Sequence, residues 1–215
     1  KKWTEKLNGN SGNQMQYSGL NADIWKIGLR LTGPVTEANL DARLAYVKNV
    51  LRMAIDRKWI KWNFGQPYRI TGINEDQFFT GIVKSGLLTE GELKEHGLKM
   101  VQDLNDSDLA LAPFAYWLQS GKNFEKGAEV WQLVIDQSTE QDEKDEQDKA
   151  AQTNRAEQRV SHIIGLATCL TSLDRTEHAT QALNRIEEKN APKSMLPGYQ
   201  KIKKRLEEQT AKQAD

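Results

Sequence analysis

The fold of this chain is decided by residues 118–134, which read Leu-Gln-Ser-Gly-Lys-Asn-Phe-Glu-Lys-Gly-Ala-Glu-Val-Trp-Gln-Leu-Val. Gly121 interrupts the stretch, and the segments on both sides carry apolar residues at helical spacing. Gly127, Trp131 and Val134 place a small residue and two apolar residues at steps of four and three. A small residue in the second helix of a hairpin lets the first helix approach closely. The stretch therefore predicts two antiparallel helices joined by a short turn.

The same pattern occurs on both sides of this stretch, at Gly97, Val101 and Leu104 and at Ala179, Leu183 and Ile186. Its small residue recurs after 30 and then after 52 residues. The longer interval contains residues 138–152, which hold six acidic residues, two lysines and no large apolar side chain. Such a segment has nothing to bury, so it is predicted to be a solvated helical extension or a disordered insert. The recurrence predicts several helical hairpins in series.

Residues 108–192 resemble the tetratricopeptide repeat. The match covers four positions of that repeat, with one residue inserted. They are its turn glycine, an aromatic residue, a small residue and a second aromatic residue, which here are Gly121, Phe124, Gly127 and Trp131. A second copy, which lacks the turn glycine, is carried by Ala167, Leu170, Asp174, Ala179, Leu183, Ile186 and Pro192. The resemblance implies stacked antiparallel helices, a concave surface and the binding of peptides or protein partners. It implies no chemistry.

Helical patterns also lie outside these hairpins. Apolar residues at steps of three and four predict a long helix over about 36–58, with Arg43 among the charged residues off its apolar stripe. Gly86 ends a second helix, and Thr89 and Glu92 form a capping box that opens a third. A further helix ends at Gly121, and the remaining helices are predicted over 124–137, 155–173, 175–189 and 199–212.

These patterns together predict an all-α protein of antiparallel helical hairpins, stacked as a short array that resembles the tetratricopeptide repeat, with a mixed N-terminal segment. Residues 1–72 are predicted to form a basic N-terminal region with the long helix and an aromatic loop. Residues 73–215 are predicted to form the helical-hairpin region, with the charged insert at 138–152. Within the first region, residues 8–21 read as a mobile loop. Residues 23–32 suit a strand or a short helix, and we favour the helix.

The aromatic segment at 58–69 is the first candidate for a binding site. Its cations and rings alternate in the order Lys58, Trp59, Lys61, Trp62, Phe64, Tyr68 and Arg69. Cations for phosphates and flat rings for bases suit single-stranded nucleic acid. The same residues suit a contact with a protein, or a membrane surface. In a further interpretation the rings pack against the long helix while the cations face water.

Tyr116 and Trp117 are the second candidate, because they lie beside the central hairpin. Their rings either pack in the core or serve as aromatic anchors for a partner in a concave groove. The residues predicted to contact a partner are therefore Lys58, Trp59, Lys61, Trp62, Tyr68, Arg69, Tyr116 and Trp117.

Composition excludes several classes of protein. The chain has 215 residues with 30 basic and 30 acidic side chains, so a uniformly basic nucleic-acid binder and a strongly acidic tail protein are excluded. Residues 1–70 nevertheless hold twelve basic and five acidic residues. This asymmetry favours an acidic partner near the N-terminal region, or self-association of the chain. No apolar run approaches the roughly 18 residues that a membrane span needs. The single cysteine, Cys169, excludes an internal disulfide.

No catalytic signature is found in the sequence. The chain contains no GxSxG, Walker A or GxGxxG motif, and its three histidines form no close ligand pair, so neither a cofactor nor a metal site is predicted. We expect a non-catalytic scaffold or adaptor that binds another protein or peptide. The alternative is an α-helical nucleic-acid-binding or coat-type protein that uses residues 58–69. The compartment stays open, because the start at Lys1-Lys2-Trp3 suits a segment cut from beside a membrane helix as well as an arbitrary boundary.

Overall fold

The computed structural model describes residues 33–56, 75–104, 108–144, 149–186, 191–193 and 195–214. These residues form eight α-helices, and no β-strand occurs among them. In chain order the helices are α1 (Glu37–Asp56), α2 (Glu75–Lys84), α3 (Glu90–Gln102), α4 (Asp108–Ser120), α5 (Phe124–Lys144), α6 (Lys149–Ser172), α7 (Thr176–Leu183) and α8 (Leu196–Ala214). The predicted all-α class is thereby confirmed for the described part of the chain.

The described residues divide into two compact units. The first unit contains α1, α2 and α3, and the second contains α4 to α8. Several predictions lie outside the described residues and stay predictions. They concern the mobile loop at 8–21, the mixed segment at 23–32, the aromatic segment at 58–69 and the domain boundary at residue 72.

The core of the first unit follows the predicted helical stripes. The long helix α1 begins and ends within two residues of its predicted limits and buries Val47, Leu51 and Ile55. The other two helices contribute Phe78, Phe79, Ile82, Leu93, Met100 and Val101. Burial of such side chains contributes about 1.5–3 kcal/mol each, which makes this stripe the main source of stability of the unit.

The connection between α2 and α3 has the predicted caps. Gly86 adopts a φ of 73°, and its N–H donates to the Val83 carbonyl at 3.0 Å, which ends α2 in the manner of a Schellman motif. Thr89 Oγ1 then accepts a hydrogen bond from the Glu92 N–H, and Glu92 Oε2 accepts one from the Thr89 N–H at 2.8 Å. The capping box is therefore confirmed, and it satisfies two backbone donors at the start of α3.

Arg43 corrects the predicted pattern of α1. The sequence placed it off the apolar stripe, but its side chain is only 1% exposed. Its guanidinium donates to the carbonyl oxygens of Gly86 at 2.9 Å, Leu87 at 3.2 Å and Gly33 at 2.9 Å, and its Nε donates to Asn39 Oδ1 at 3.0 Å. A buried cation is tolerated because these acceptors replace its water shell. Arg43 thus ties α1 to the turn that follows α2.

The second unit is built from helices that pack on their neighbours in the chain. α4 packs against α5, α5 against α6 and α6 against α7, while α8 contacts both α6 and α7. Gly127 in α5 has the close approach that the sequence predicted. A Cβ atom at Gly127 would lie 3.6 Å from the Gln119 backbone nitrogen in α4 and 3.2 Å from Cys169 Sγ in α6. The absent side chain therefore lets α5 lie close to both neighbouring helices.

The turns of the α4–α5 and α6–α7 hairpins share one geometry. Lys122 has a φ of 59° and Asp174 a φ of 56°, and these two positions lie 52 residues apart. In each turn the N–H of the next residue donates back across the turn, from Asn123 to the Leu118 carbonyl at 2.9 Å and from Arg175 to the Leu170 carbonyl at 3.0 Å. Both helices therefore end in the same left-handed capping motif.

The charged insert is largely helical where it is described. α5 continues to Lys144 and α6 begins at Lys149, so both helices extend well into 138–152. Of the two predicted interpretations, the helical extension is the one found over 138–144 and 149–152. Both segments lie at the ends of the two longest helices of the described part of the chain.

Candidate functional site

Tyr116 and Trp117 lie on α4 among residues of the second unit. Trp117 is 8% exposed, and its ring stacks on Phe114 with 5.7 Å between centroids. Tyr116 is partly exposed, its hydroxyl lies 3.1 Å from Ser161 Oγ, and its ring meets Trp131 edge-on at 4.7 Å. Both rings therefore pack within the unit, and their role as partner anchors stays a prediction.

Trp131 is the centre of this packing. Its ring is completely buried, and its Nε1 donates to Gln119 Oε1 at 2.9 Å. The His162 ring lies 5.5 Å away from it, and Gly165 supplies the space for the indole, since a Cβ at that position would lie 2.5 Å from Trp131 Cε2. The sequence predicted a seam residue at Trp131 but did not identify Gly165 as the position on which it rests.

Burial shifts the titration of two side chains near Trp131. Desolvation, with the nearby charge of Arg159 as the smaller cause, lowers the pKa of His162 to about 4. Burial raises the pKa of the Cys169 thiol to about 12. Cys169 therefore stays a neutral thiol at neutral pH and packs as a small apolar residue, as the sequence predicted.

His162 predicts a loss of stability in acid. Its folded-state pKa lies below the usual 6.5, so the unfolded chain binds more protons between pH 6.5 and pH 4. This contribution is fully present above pH 6.5 and falls by about 3 kcal/mol as the pH approaches 4. Urea unfolding at a series of pH values measures it. His162→Gln should remove this slope, whereas His178→Gln, at an exposed position of the same unit, should leave it; an unchanged slope in the first variant would contradict the assignment.

A groove between α5 and α7 lies on the surface of the second unit. Its volume is about 290 Å³. One wall is formed by Glu125, Ala128, Glu129 and Gln132 of α5, and the other by His178, Gln181 and Ala182 of α7 together with Arg185, two residues beyond the end of α7. Both walls have the same helical spacing, and Leu166 and Leu170 of α6 form the floor. We call this feature the α5–α7 groove.

The α5–α7 groove combines an apolar floor with polar walls. At one end Arg175 Nη2 lies 2.7 Å and 3.0 Å from the two carboxylate oxygens of Glu125, which links the start of α7 to the start of α5. At the other end Arg185 is exposed. The amides of Gln181 and of Gln132, whose Nε2 donates to Asp136 Oδ1 at 2.7 Å, also line the groove. The groove therefore offers apolar contact along its floor, with donors, acceptors and charge on its walls.

The α5–α7 groove was missed by the sequence reasoning. Its residues lie on two helices about fifty positions apart, and only the stacking of α5, α6 and α7 brings them together. One signal was available, because the polar faces of α5 and α7 each contain a small residue, Ala128 on α5 and Ala182 on α7. Small residues beside polar ones, on the second helix of each of two successive hairpins, are typical of a groove wall.

The other predicted site residues lie outside the described part of the chain. They are Lys58, Trp59, Lys61, Trp62, Tyr68 and Arg69. Their proposed contact with a protein and the alternative contact with nucleic acid both stay predictions.

Within the described ranges, no group of three or more His, Cys, Asp or Glu side chains is placed to hold a metal ion. Among the helices of the same ranges, none combines the length and apolar character needed to cross a membrane. Comparison of the chain with protein-family models, with curated proteins and with solved structures yields no match.

Proposed function

We propose that this chain is a non-catalytic protein–protein interaction module, and that the α5–α7 groove receives an extended segment of a partner protein. The second unit acts as a short scaffold of helical hairpins related to the tetratricopeptide repeat. Its stacked helices hold the groove walls at a fixed separation, so the partner segment meets a surface that is already formed.

The shared turn geometry supports the relation to that repeat. Lys122 and Asp174 occupy the same position in two hairpin turns. A small residue follows five positions later in each hairpin, Gly127 in the first and Ala179 in the second. Helices that contact mainly their neighbours in the chain are typical of repeat scaffolds. The array is short, and its helices differ in length. The proposed binding surface is therefore confined to the space between α5 and α7.

The observation that carries the proposal is the composition of the α5–α7 groove. Leu166 and Leu170 give the floor an apolar character. Ala128 and Ala182 place only small side chains on the walls beside it. The Gln181 amide and the carbonyl oxygen of Gln132, whose Nε2 already donates to Asp136, are suited to the backbone amides of an extended peptide. A groove with these properties binds a chain segment through apolar side chains on its floor and polar contacts on its walls.

Charge indicates which segment the groove prefers. Arg175 is already paired with Glu125, whereas His178 on α7 and Arg185 just beyond its end present exposed nitrogen donors on one wall, and Glu129 presents an exposed carboxylate on the other. We therefore propose a partner segment with one apolar side chain for the floor and an acidic side chain that contacts Arg185. A rim contact of this kind contributes more to specificity and association rate than to affinity.

Binding to an array of ten-residue peptides with systematically varied acidic and apolar positions tests the proposal. The chain should retain peptides that combine one aspartate or glutamate with a leucine or isoleucine three or four positions away. Arg185→Glu should weaken this retention about tenfold, because it replaces an attractive contact with a repulsive one.

Arg205→Glu is the matched control for this experiment. It makes the same change of charge at an exposed position of α8 that does not line the groove. Retention should be unchanged in this variant. Equal losses in both variants would reduce the effect to net charge, and an absence of any retained peptide would overturn the proposed function.

A further inference from the structure

The two walls of the α5–α7 groove carry opposite charges that are open to a partner. Glu129 on one wall and Arg185 on the other are exposed, and neither side chain forms a salt bridge or hydrogen bond within the described residues. The other two charges at the groove, Glu125 and Arg175, are bound to each other at 2.7 Å and 3.0 Å. The groove therefore offers a carboxylate on its α5 side and a guanidinium on the opposite side.

The contact between Glu125 and Arg175 sets the register of the two walls. α5 and α7 are the second helices of successive hairpins, so they run in the same direction along the groove. Glu129 lies four residues after Glu125, and Arg185 lies ten residues after Arg175. The two open charges are therefore six residues apart along the groove, which corresponds to a helical rise of about 9 Å.

An extended segment matches both the spacing and the sides of these charges. Three residues of extended chain span about 10 Å, close to the separation along the groove. Successive side chains of an extended chain point to opposite sides, so residues three positions apart face opposite walls. A basic residue can therefore contact Glu129 while an acidic residue three positions away contacts Arg185. A helical segment lacks this property, because its residues three or four positions apart lie on the same face.

The apolar floor lies at the level of Glu129 rather than at the Arg185 end. Leu170 of the floor follows Cys169, whose Sγ would lie 3.2 Å from a Cβ at Gly127. Gly127 precedes Glu129 by two residues. An apolar side chain that fills the floor is therefore next to the basic residue of the segment and about four positions from the acidic residue.

We propose that the α5–α7 groove selects an extended segment that carries both charges, with its basic residue on Glu129 and its acidic residue, three positions away, on Arg185. An apolar residue next to the basic one contacts the floor. This inference rests on the proposed function and names the chemistry of its partner. A segment whose two charges are exchanged satisfies both walls only by reversing its direction, which carries its apolar side chain away from the floor. The groove thus reads the direction of the segment as well as its charges.

Fluorescence anisotropy with labelled ten-residue peptides tests the inference. The peptides carry the core Leu-Lys-Ala-Ala-Glu or the reverse order, Glu-Ala-Ala-Lys-Leu, among uncharged residues, and the tighter of the two is compared with its charge-exchanged counterpart. Exchanging lysine and glutamate in that peptide should weaken binding about tenfold, although composition and net charge stay the same. Glu129→Lys should also weaken binding of the original peptide about tenfold, because attraction becomes repulsion. The double variant E129K/R185E should invert the preference and bind the exchanged peptide more tightly.

The double variant E177K/R205E is the matched control. It makes the same two changes of charge at exposed positions that do not line the groove, so it should keep the wild-type preference. Circular dichroism shows whether each variant keeps its helices. Equal binding of the original and exchanged peptides, or an E129K/R185E variant that keeps the wild-type preference, would overturn this inference and leave the proposed function standing. Absence of binding by these peptides and by every peptide of the array would overturn both.

Discussion

Replacing Gly165 with alanine should lower the free energy of unfolding of the second unit by about 3 kcal/mol. The new Cβ would lie 2.5 Å from Trp131 Cε2 and 2.8 Å from both Cζ2 and Nε1. The indole has no room to move, because it is completely buried and lies edge-on against Tyr116. A shift of the ring would also break the hydrogen bond to Gln119. Urea unfolding followed by circular dichroism measures the change.

Gly198→Ala is the matched control for this prediction. Gly198 also lies in a helix of the second unit, and the nearest atom to a Cβ there is Ile164 Cγ2 at 4.0 Å, an ordinary contact distance. This change should leave stability the same or raise it by up to about 1 kcal/mol through helix propensity. If Gly165→Ala behaved like the control, Trp131 would not be packed against α6 as the structure has it.

Replacing Arg43 with methionine should destabilise the first unit by about 3 kcal/mol. Methionine keeps much of the volume but removes the donors that satisfy the carbonyls of Gly33, Gly86 and Leu87. The Leu87 carbonyl would stay buried without the cation, and the carbonyls of Gly33 and Gly86 would stay partly buried without it. The cation also lies at the C-terminal end of α2, where it complements the helix dipole, and this contribution would be lost.

The same change on the exposed side of α1 gives the comparison. Arg52→Met removes a guanidinium from the same helix, at an exposed position, and should change stability by no more than about 0.5 kcal/mol. Arg43→Lys should recover only part of the loss, because a single ammonium cannot reach all the carbonyls that the guanidinium contacts. Equal stability of the Arg43→Met and Arg52→Met variants would contradict the structural role assigned to Arg43.

The local features of the fold were predicted well from the sequence. The limits of α1, the end of α2 at Gly86 and the capping box at Thr89 each follow from residues within one or two helical turns. The close approach at Gly127 was also predicted, since a small residue before a seam of apolar residues implies it. In each case the deciding interactions are local in the chain, so the sequence contains the signal directly.

The features that the sequence did not reveal depend on distant partners. Arg43 was placed among the solvated charges because helical spacing shows which face of α1 is charged, but not that the carbonyls after α2 lie against that face. Gly165 has no special signal in the sequence, because the residue that requires it, Trp131, lies more than thirty positions away in the chain. The walls of the α5–α7 groove come from segments about fifty residues apart, which the packing of α5 and α7 on α6 brings together. Periodicity identifies buried faces, but it does not identify which faces meet.

The central claim, that the α5–α7 groove receives a partner segment, is tested most directly by nuclear magnetic resonance of the ¹⁵N-labelled chain during titration with the best peptide from the array. The largest amide shifts should fall in Glu125–Gln132 and His178–Arg185, and they should be lost in the Arg185→Glu variant but kept in Arg205→Glu. Shifts that leave both walls of the groove unaffected, and concentrate in the first unit or in α8, would contradict the account.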